Sequence, residues 1–241
     1  MLRRLVWIAL LLTSPLLLGP PVGCCADTGE QSWAAKRNKM AAELRAWGIA
    51  DSSVLGALKA VPRHLFVPEG HRARAYEDTP LPIGLRQTIS APSIVALMTE
   101  LVRPEPGDRV LDVGTGSGYQ AAVLAELVAE VWSIEILCPL AEEARERLAS
   151  LGYENIEVRC GDGYRGWPEQ APFDAIILAA APDHVPPALI EQLAPRGRLV
   201  LPVGDLYQEL ILIEKDRKGN VARRSVLPVR FVPMTGEAQE K

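Results

Sequence analysis

The chain has 241 residues, a formal net charge of −4 and an ordinary share of apolar residues, enough for one sizeable globular domain with nothing to mark a second core. Its basic residues are scattered, which excludes the electrostatic footprint of a nucleic-acid binder. No histidine or cysteine cluster stands at metal-ligand spacing, so no metal site is expected, and His64, His71 and His184 read as lone surface or capping residues.

Arg3 and Arg4 precede an apolar run from Leu5 to Leu12, a second apolar piece follows Pro15, and small residues lead to Cys24-Cys25-Ala26. This is a secretory signal pattern, interrupted by prolines and too short for a membrane span. Cleavage after Ala26 and an exported or periplasmic product are expected; the residues ahead of Cys24 and Cys25 make a poor lipidation signal. The alternative is translation from Met40 and a cytoplasmic protein. The chain then divides into a signal segment at 1–26, a single domain at 34–235 and a tail at 236–241. After cleavage only Cys138 and Cys160 remain; nothing in their positions demands a disulfide, and both read as small buried residues.

From Ala34 to Trp47 the spacing places Met40, Leu44 and Trp47 on one helical face that stops at Gly48. Asp51 is positioned to cap a second short helix with Val54, Leu55 and Leu58 inward. These form a helical preface to the main domain. From Val61 to Pro92 no period persists, and prolines at 62, 68, 80, 82 and 92 oppose regular ladders. Long irregular stretches in compact domains are usually functional or disordered. The apolar anchors in this one, among them Phe66, Tyr76, Leu81, Ile83 and Ile89, predict an ordered loop packed over the next motif. Its end, Gln87-Thr88-Ile89-Ser90, leads into a helix opened by Pro92, with Ile94, Val95, Leu97, Met98 and Leu101 inward. Thr88 and Ser90 read either as site residues or as local caps.

Arg109 to Val113, closed by Asp112 and followed by Gly114-Thr115-Gly116-Ser117-Gly118 and an apolar helix, reads as strand, tight turn, helix. Such a turn aims backbone N–H groups at a ligand. A dinucleotide fingerprint needs a third glycine where this chain has Tyr119, and Asp112 beside the loop would repel phosphate and attract a cation. S-adenosyl-L-methionine, with its sulfonium and ammonium groups, suits both features. After the next apolar run comes Glu135, where an acid typically holds ribose hydroxyls.

Beyond a helix near 140–151 lie the strand Ile156 to Cys160 and the turn Gly161-Asp162-Gly163, whose acid either meets an adenine amino group or only makes the turn. Asp174 to Ala179 reads as a central parallel strand, a helix spans Pro187 to Leu193, and a strand runs from Arg198 to Pro202. The alternation predicts an α/β doubly wound, Rossmann-like sheet, mostly parallel. Leu206 to Lys215 and Val221 to Val232, joined by a turn, predict an antiparallel C-terminal hairpin at its edge.

The run from Gly161-Asp162-Gly163-Tyr164 through Trp167-Pro168 to Ala171-Pro172-Phe173-Asp174-Ala175-Ile176 closely resembles the signature of protein-L-isoaspartate O-methyltransferases. So do Leu81 to Gly84, Gln87 to Ser90, Val110 to Tyr119, Ala180 to Pro182 and Val229 to Pro233; the similarity covers about 35–235. It implies methyl transfer from S-adenosyl-L-methionine to the free α-carboxylate of L-isoaspartyl residues in damaged proteins and peptides. The ester then collapses to a succinimide that partly reopens to aspartate. The resemblance further implies cofactor binding by Thr88, Ile89, Asp112, Gly114, Gly116, Glu135, Asp162 and Gly163, and an active-site role for Ser90. A monomer with no stable membrane partner is expected.

A carboxylate is already ionised at neutral pH, so this chemistry needs no general base and no nucleophilic triad. Two departures from the family pattern stand out. Leu85-Arg86-Gln87 replaces a glycine often found before the glutamine, and an export signal precedes a domain whose family is usually cytoplasmic. A nicotinamide oxidoreductase and an exported non-catalytic binding module are the competing readings.

Overall fold

The computed structural model describes residues 28–239, so the signal-like segment and its two cysteines lie outside them. Helix α1 (Thr28–Trp47) buries Met40, Ala41 and Leu44, whereas Trp47, expected inward, is 52% exposed. The chain turns at Gly48, whose N–H bonds back to Leu44, and Ile49 fills the space beneath the last turn instead. Asp51 caps α2 (Ser52–Ala60) as expected, its Oδ1 accepting from Ser53 N at 2.8 Å and Val54 N at 3.3 Å. Helix α3 (Pro92–Val102) is tied to this start through Glu100, whose carboxylate accepts from Ala50 N and Asp51 N.

The proline-rich segment is ordered, but contrary to the expectation it contains a ladder. Two 3-10 turns lead to an antiparallel hairpin of β1 (Leu81–Gly84) and β2 (Gln87–Ile89), with Pro82 exposed on it. The turn residues Leu85 (φ 49°) and Arg86 (φ 62°) are both left-handed, the conformation a two-residue hairpin turn demands. That accounts for the glycine usual at Arg86. His64, read as a surface residue, is buried here: it stacks on Trp33 and bonds Tyr76 Oη at 2.7 Å. The segment's partners lie on α1, a packing that local sequence does not reveal.

The main sheet is built from β3 (Arg109–Val113), β4 (Glu130–Glu135), β5 (Ile156–Cys160), β6 (Phe173–Leu178), β7 (Leu193–Val203), β8 (Gln208–Lys215) and β9 (Val221–Val229). Its order is β5-β4-β3-β6-β7-β8-β9, parallel through β7 and antiparallel for β8 and β9, the doubly wound architecture read from the sequence. Strand β7 starts at Leu193, earlier than expected, because α6 (Pro187–Glu191) is only five residues long. Alternate strand residues feed opposite layers. Val110, Ala175, Ile177 and Val200 pack with α3 and α4 (Tyr119–Ala125). Leu111, Ile176, Leu178 and Leu199 pack with Tyr164, Trp167 and Leu189.

Two local expectations are corrected. Cys138, exposed at the start of α5 (Cys138–Ser150), forms a disulfide with Cys160, the Cα atoms 5.0 Å apart. The parallel register that pairs Glu135 with Cys160 brings them together, and spacing alone does not show that register. Residues 236–239, read as tail, form a 3-10 turn with Ala238 buried and Glu237 N donating to Asp162 Oδ2 at 2.9 Å.

Candidate active site

Five segments meet above the carboxyl ends of the parallel strands, where the strand order reverses between β3 and β6, the usual ligand crevice of open α/β sheets. They enclose a cleft of about 930 Å³, open mouth included.

The loop after β3 forms the floor. Gly114 N and Thr115 N both donate to Ile134 O, which fastens the loop to β4. Gly116 has φ 53°, and a Cβ there would lie 3.2 Å from Ile83 Cδ1 of the hairpin above, so the hairpin roofs the loop closely. Glu135 ends β4, 6% exposed, with Oε2 accepting from Gly116 N at 2.8 Å and Oε1 from Leu137 N at 3.0 Å. Each oxygen keeps a lone pair free, so the carboxylate can accept hydroxyl protons from a ligand in the cleft.

The third wall is the turn after β5. Asp162 accepts from Tyr164 N through Oδ1 and from Glu237 N through Oδ2, so it does make the turn, and it holds the C-terminal segment as well. At Gly163 a Cβ would sit 2.2 Å from Val113 Cγ1; only glycine lets this turn close against the end of β3.

Gln87, Thr88, Ile89 and Ser90 form the fourth. Ser90 is not the cap of α3: the amide a cap would take, Ser93 N, donates to Asp78 Oδ1 at 2.8 Å. The backbone of Ser90 is fixed from behind by Arg63, wholly buried, whose Nη2 donates to Ser90 O and Nε to Ala75 O, both at 2.7 Å. The same guanidinium lies 4.7 Å from the Tyr119 ring centre at the start of α4, joining two walls of the cleft. Sequence reasoning missed Arg63, since nothing in a run of isolated basic residues singles out a buried one.

The fifth wall pairs Ala179 and Ala180 after β6 with Val232 to Thr235. Ala181 N donates to Val232 O and Met234 N to Ala181 O, both at 2.8 Å, which ties the two segments together. Neither had been assigned to the site, although both lie in or beside the stretches that carry the family resemblance.

The cleft thus brings together Thr88, Ile89, Ser90, Gly114, Gly116, Glu135, Asp162 and Gly163. Asp112 is the exception. It is wholly buried beneath the loop and does not line the cleft; Oδ2 accepts from Ser133 Oγ at 2.7 Å, Ser133 in turn bonds Thr115 Oγ1 at 2.6 Å, and Oδ1 has no partner among the described residues. It shares a face of the sheet with Val110, two residues earlier, the face that α4 covers, so its side chain is buried under the loop that leads into that helix. Burial pushes its carboxyl up to about 7, with the Ser133 bond opposing and the charge of Glu135 adding to the rise.

A profile of the family described as protein-L-isoaspartate(D-aspartate) O-methyltransferase matches residues 35–239. The protein-L-isoaspartate O-methyltransferase 2 of a Polaromonas species is 57% identical over 189 residues, covering 78% of this chain and 90% of the relative. That of Syntrophobacter fumaroxidans is 49% identical, covering 92% of this chain and 94% of the relative. A solved structure of a protein-L-isoaspartate O-methyltransferase superposes with a TM-score of 0.76 at 31% identity, over 84% of this chain and 67% of that one. A Plasmodium falciparum structure described as a putative member, in complex with S-adenosyl-L-homocysteine, gives 0.72 at 26% identity, over 83% of this chain and 98% of that one.

Proposed function

The chain belongs to the protein-L-isoaspartate(D-aspartate) O-methyltransferase family, and from that premise we propose specific roles for the walls of its cleft. The reaction is methyl transfer from S-adenosyl-L-methionine to the free α-carboxylate of L-isoaspartyl residues in damaged proteins and peptides. Glu135 holds the ribose hydroxyls, and the Asp162–Gly163 turn with Ile136 and Leu137 takes the adenine. Gly114 and Gly116 lie under the methionine end. The fit rests on observed features: a charged acceptor with free lone pairs, and glycines at 116 and 163 that let the loop and the turn close against Ile83 and Val113 around the cleft. Asp112, sealed beneath the loop, acts on the cofactor only through Ser133 and the Thr115 hydroxyl of the loop.

When bound, the cofactor supplies an electrophilic methyl group on a cationic sulfur. The residues of the chain have a modest chemical task, because the accepting carboxylate arrives ionised. Ser90, its hydroxyl without a hydrogen bond among the described residues, donates to that carboxylate and orients it. Arg63 fixes the Ser90 backbone from behind. Holding nucleophile and methyl in line can supply roughly 7 to 11 kcal/mol of the barrier. The β1–β2 hairpin, seated over Gly116, excludes water while opposite charges are cancelled.

The observation that carries this reading is the meeting of Ser90, Glu135 and Gly163 on one cleft at the switch point of the sheet. Calorimetric titration with S-adenosyl-L-homocysteine and with NAD tests it: binding of the first and not the second is expected, and the reverse would restore the oxidoreductase reading.

We also propose an exported protein. The Arg3-Arg4 signal pattern supports it, and so does the Cys138–Cys160 disulfide, a bond that persists in oxidising compartments. Trp33 stacks on His64 with ring centres 4.5 Å apart, so the folded unit extends upstream of Met40, against a start there.

A further inference from the structure

An isoaspartyl residue sits within a polypeptide, so the chain on either side of it must leave the cleft across the protein surface. Beside the cleft runs a second groove, of about 670 Å³ with its open mouth, and Pro233 and Met234 line both. The groove also carries Asp183 and Asp205, and no lysine or arginine lines it. Asp183 is paired with His184, whereas the Asp205 carboxylate has no hydrogen bond or ion pair among the described residues. On the adjoining β7–β8 turn, Leu206 and Tyr207 are 89% and 92% exposed.

Single exposed apolar residues are ordinary, but this pair stands side by side on a rigid mount. Gly204 N donates to Pro182 O at 2.9 Å. Gln208, itself buried, accepts from Phe231 N at 2.6 Å and donates to Phe231 O at 3.2 Å. Through these bonds the turn is fixed to the two segments, Ala179 to Asp183 and Phe231 to Thr235, whose inner faces wall the cleft. A surface that is continuous with the site, acidic and rimmed by two presented apolar side chains fits one occupant.

We propose that this groove is a docking surface for the substrate polypeptide flanking the isoaspartyl residue, with Leu206 and Tyr207 gripping apolar side chains and Asp205 selecting a basic residue over an acidic one. The proposal rests on the methyltransferase reading above and deepens it by naming a substrate class: isoaspartyl sites in basic or apolar surroundings.

The test measures methyl transfer by the mature protein to isoaspartyl peptides of twelve or so residues, scanned with Lys or Glu at each flanking position, and to a tripeptide too short to reach the groove. Lys should give a lower KM than Glu at positions on one flank, and Asp205→Lys should reverse that preference. Leu206→Ser with Tyr207→Ser should raise KM for long peptides about tenfold, the factor that 1.4 kcal/mol of lost contact gives, with kcat and the tripeptide KM within twofold. Unchanged long-peptide KM values in both variants would overturn the docking surface alone. So would a dimer of the unaltered protein that the double variant dissociates, since the patch would then face a second copy. No transfer to any isoaspartyl peptide by the unaltered protein would overturn the methyltransferase reading and this proposal together.

Discussion

Replacing Glu135 tests the geometry of the cleft most sharply, because its carboxylate holds the glycine loop as well as lining the cleft. In Glu135→Gln one oxygen becomes an NH₂ group, which must face a backbone N–H at Gly116 or at Leu137, where acceptors now stand at 2.8 and 3.0 Å. One hydrogen bond to a charged acceptor is lost, worth about 1.5 to 3 kcal/mol, and the ribose loses a charged partner of similar strength. Part of the first loss falls on stability and most of the second on binding. The dissociation constant for S-adenosyl-L-methionine should therefore rise roughly ten- to a hundredfold. Glu135→Ala, which removes both acceptors, should bind more weakly still. Isothermal titration of each variant, alongside its melting temperature, separates the two contributions. A folded Glu135→Gln protein that binds the cofactor within twofold of the unaltered one would refute the reasoning, because the carboxylate would then be only a loop anchor.

Four further outcomes follow from the same account. Ser90→Ala should lower turnover about ten- to a hundredfold, the worth of one hydrogen bond to a charged group, with little change in cofactor affinity; label from methyl-labelled cofactor trapped on Ser90 in single-turnover experiments would contradict its orienting role. Asp112 has its native carboxyl raised to about 7 against an ordinary 3.8, so the folded state holds the proton that the unfolded state releases as pH rises between these values. Stability should fall by roughly 2 to 3 kcal/mol from pH 5 to pH 8 through this group. Asp112→Asn should remove that slope in urea titrations, and an unaltered slope would show the acid is ionised in the fold. Arg63→Met strips a buried carbonyl at Ala75 and a part-buried one at Ser90 of a charged donor and should cost roughly 3 kcal/mol in urea unfolding; a loss below 1 kcal/mol would mean those carbonyls find other partners. A fusion of residues 1–30 to a reporter active only outside the cytoplasm should give signal, and a silent fusion with a native N-terminus at Met40 would reject export.

The parts of the fold that repeat a local pattern were legible in the chain. Apolar runs closed by turn residues located the parallel strands, and an acid just past the second of them located Glu135 beside the glycine loop. What stayed hidden depends on partners distant in sequence. Asp112 reads as a loop-side acid until the strand is placed in its sheet, where it shares with Val110 the face that α4 covers and is sealed under the loop. Cys138 and Cys160 meet only because β5 pairs with β4 in one particular register. His64 is buried by Trp33 from α1, and Arg63 by contacts with Ala75, Ser90 and Tyr119, none of them its neighbours in sequence. The β1–β2 hairpin escaped notice because its strands are four and three residues long and one carries a proline.

The central claim is that this cleft methylates the α-carboxylate of an isoaspartyl residue and not an ordinary aspartyl side chain. It is tested most directly by incubating the purified mature protein with methyl-labelled S-adenosyl-L-methionine and two peptides of identical sequence, one with L-isoaspartate and one with L-aspartate at the same position. Base-labile label is expected on the isoaspartyl peptide and none above background on its twin. Equal labelling of both, or of neither by a protein that still binds the cofactor, would contradict the claim.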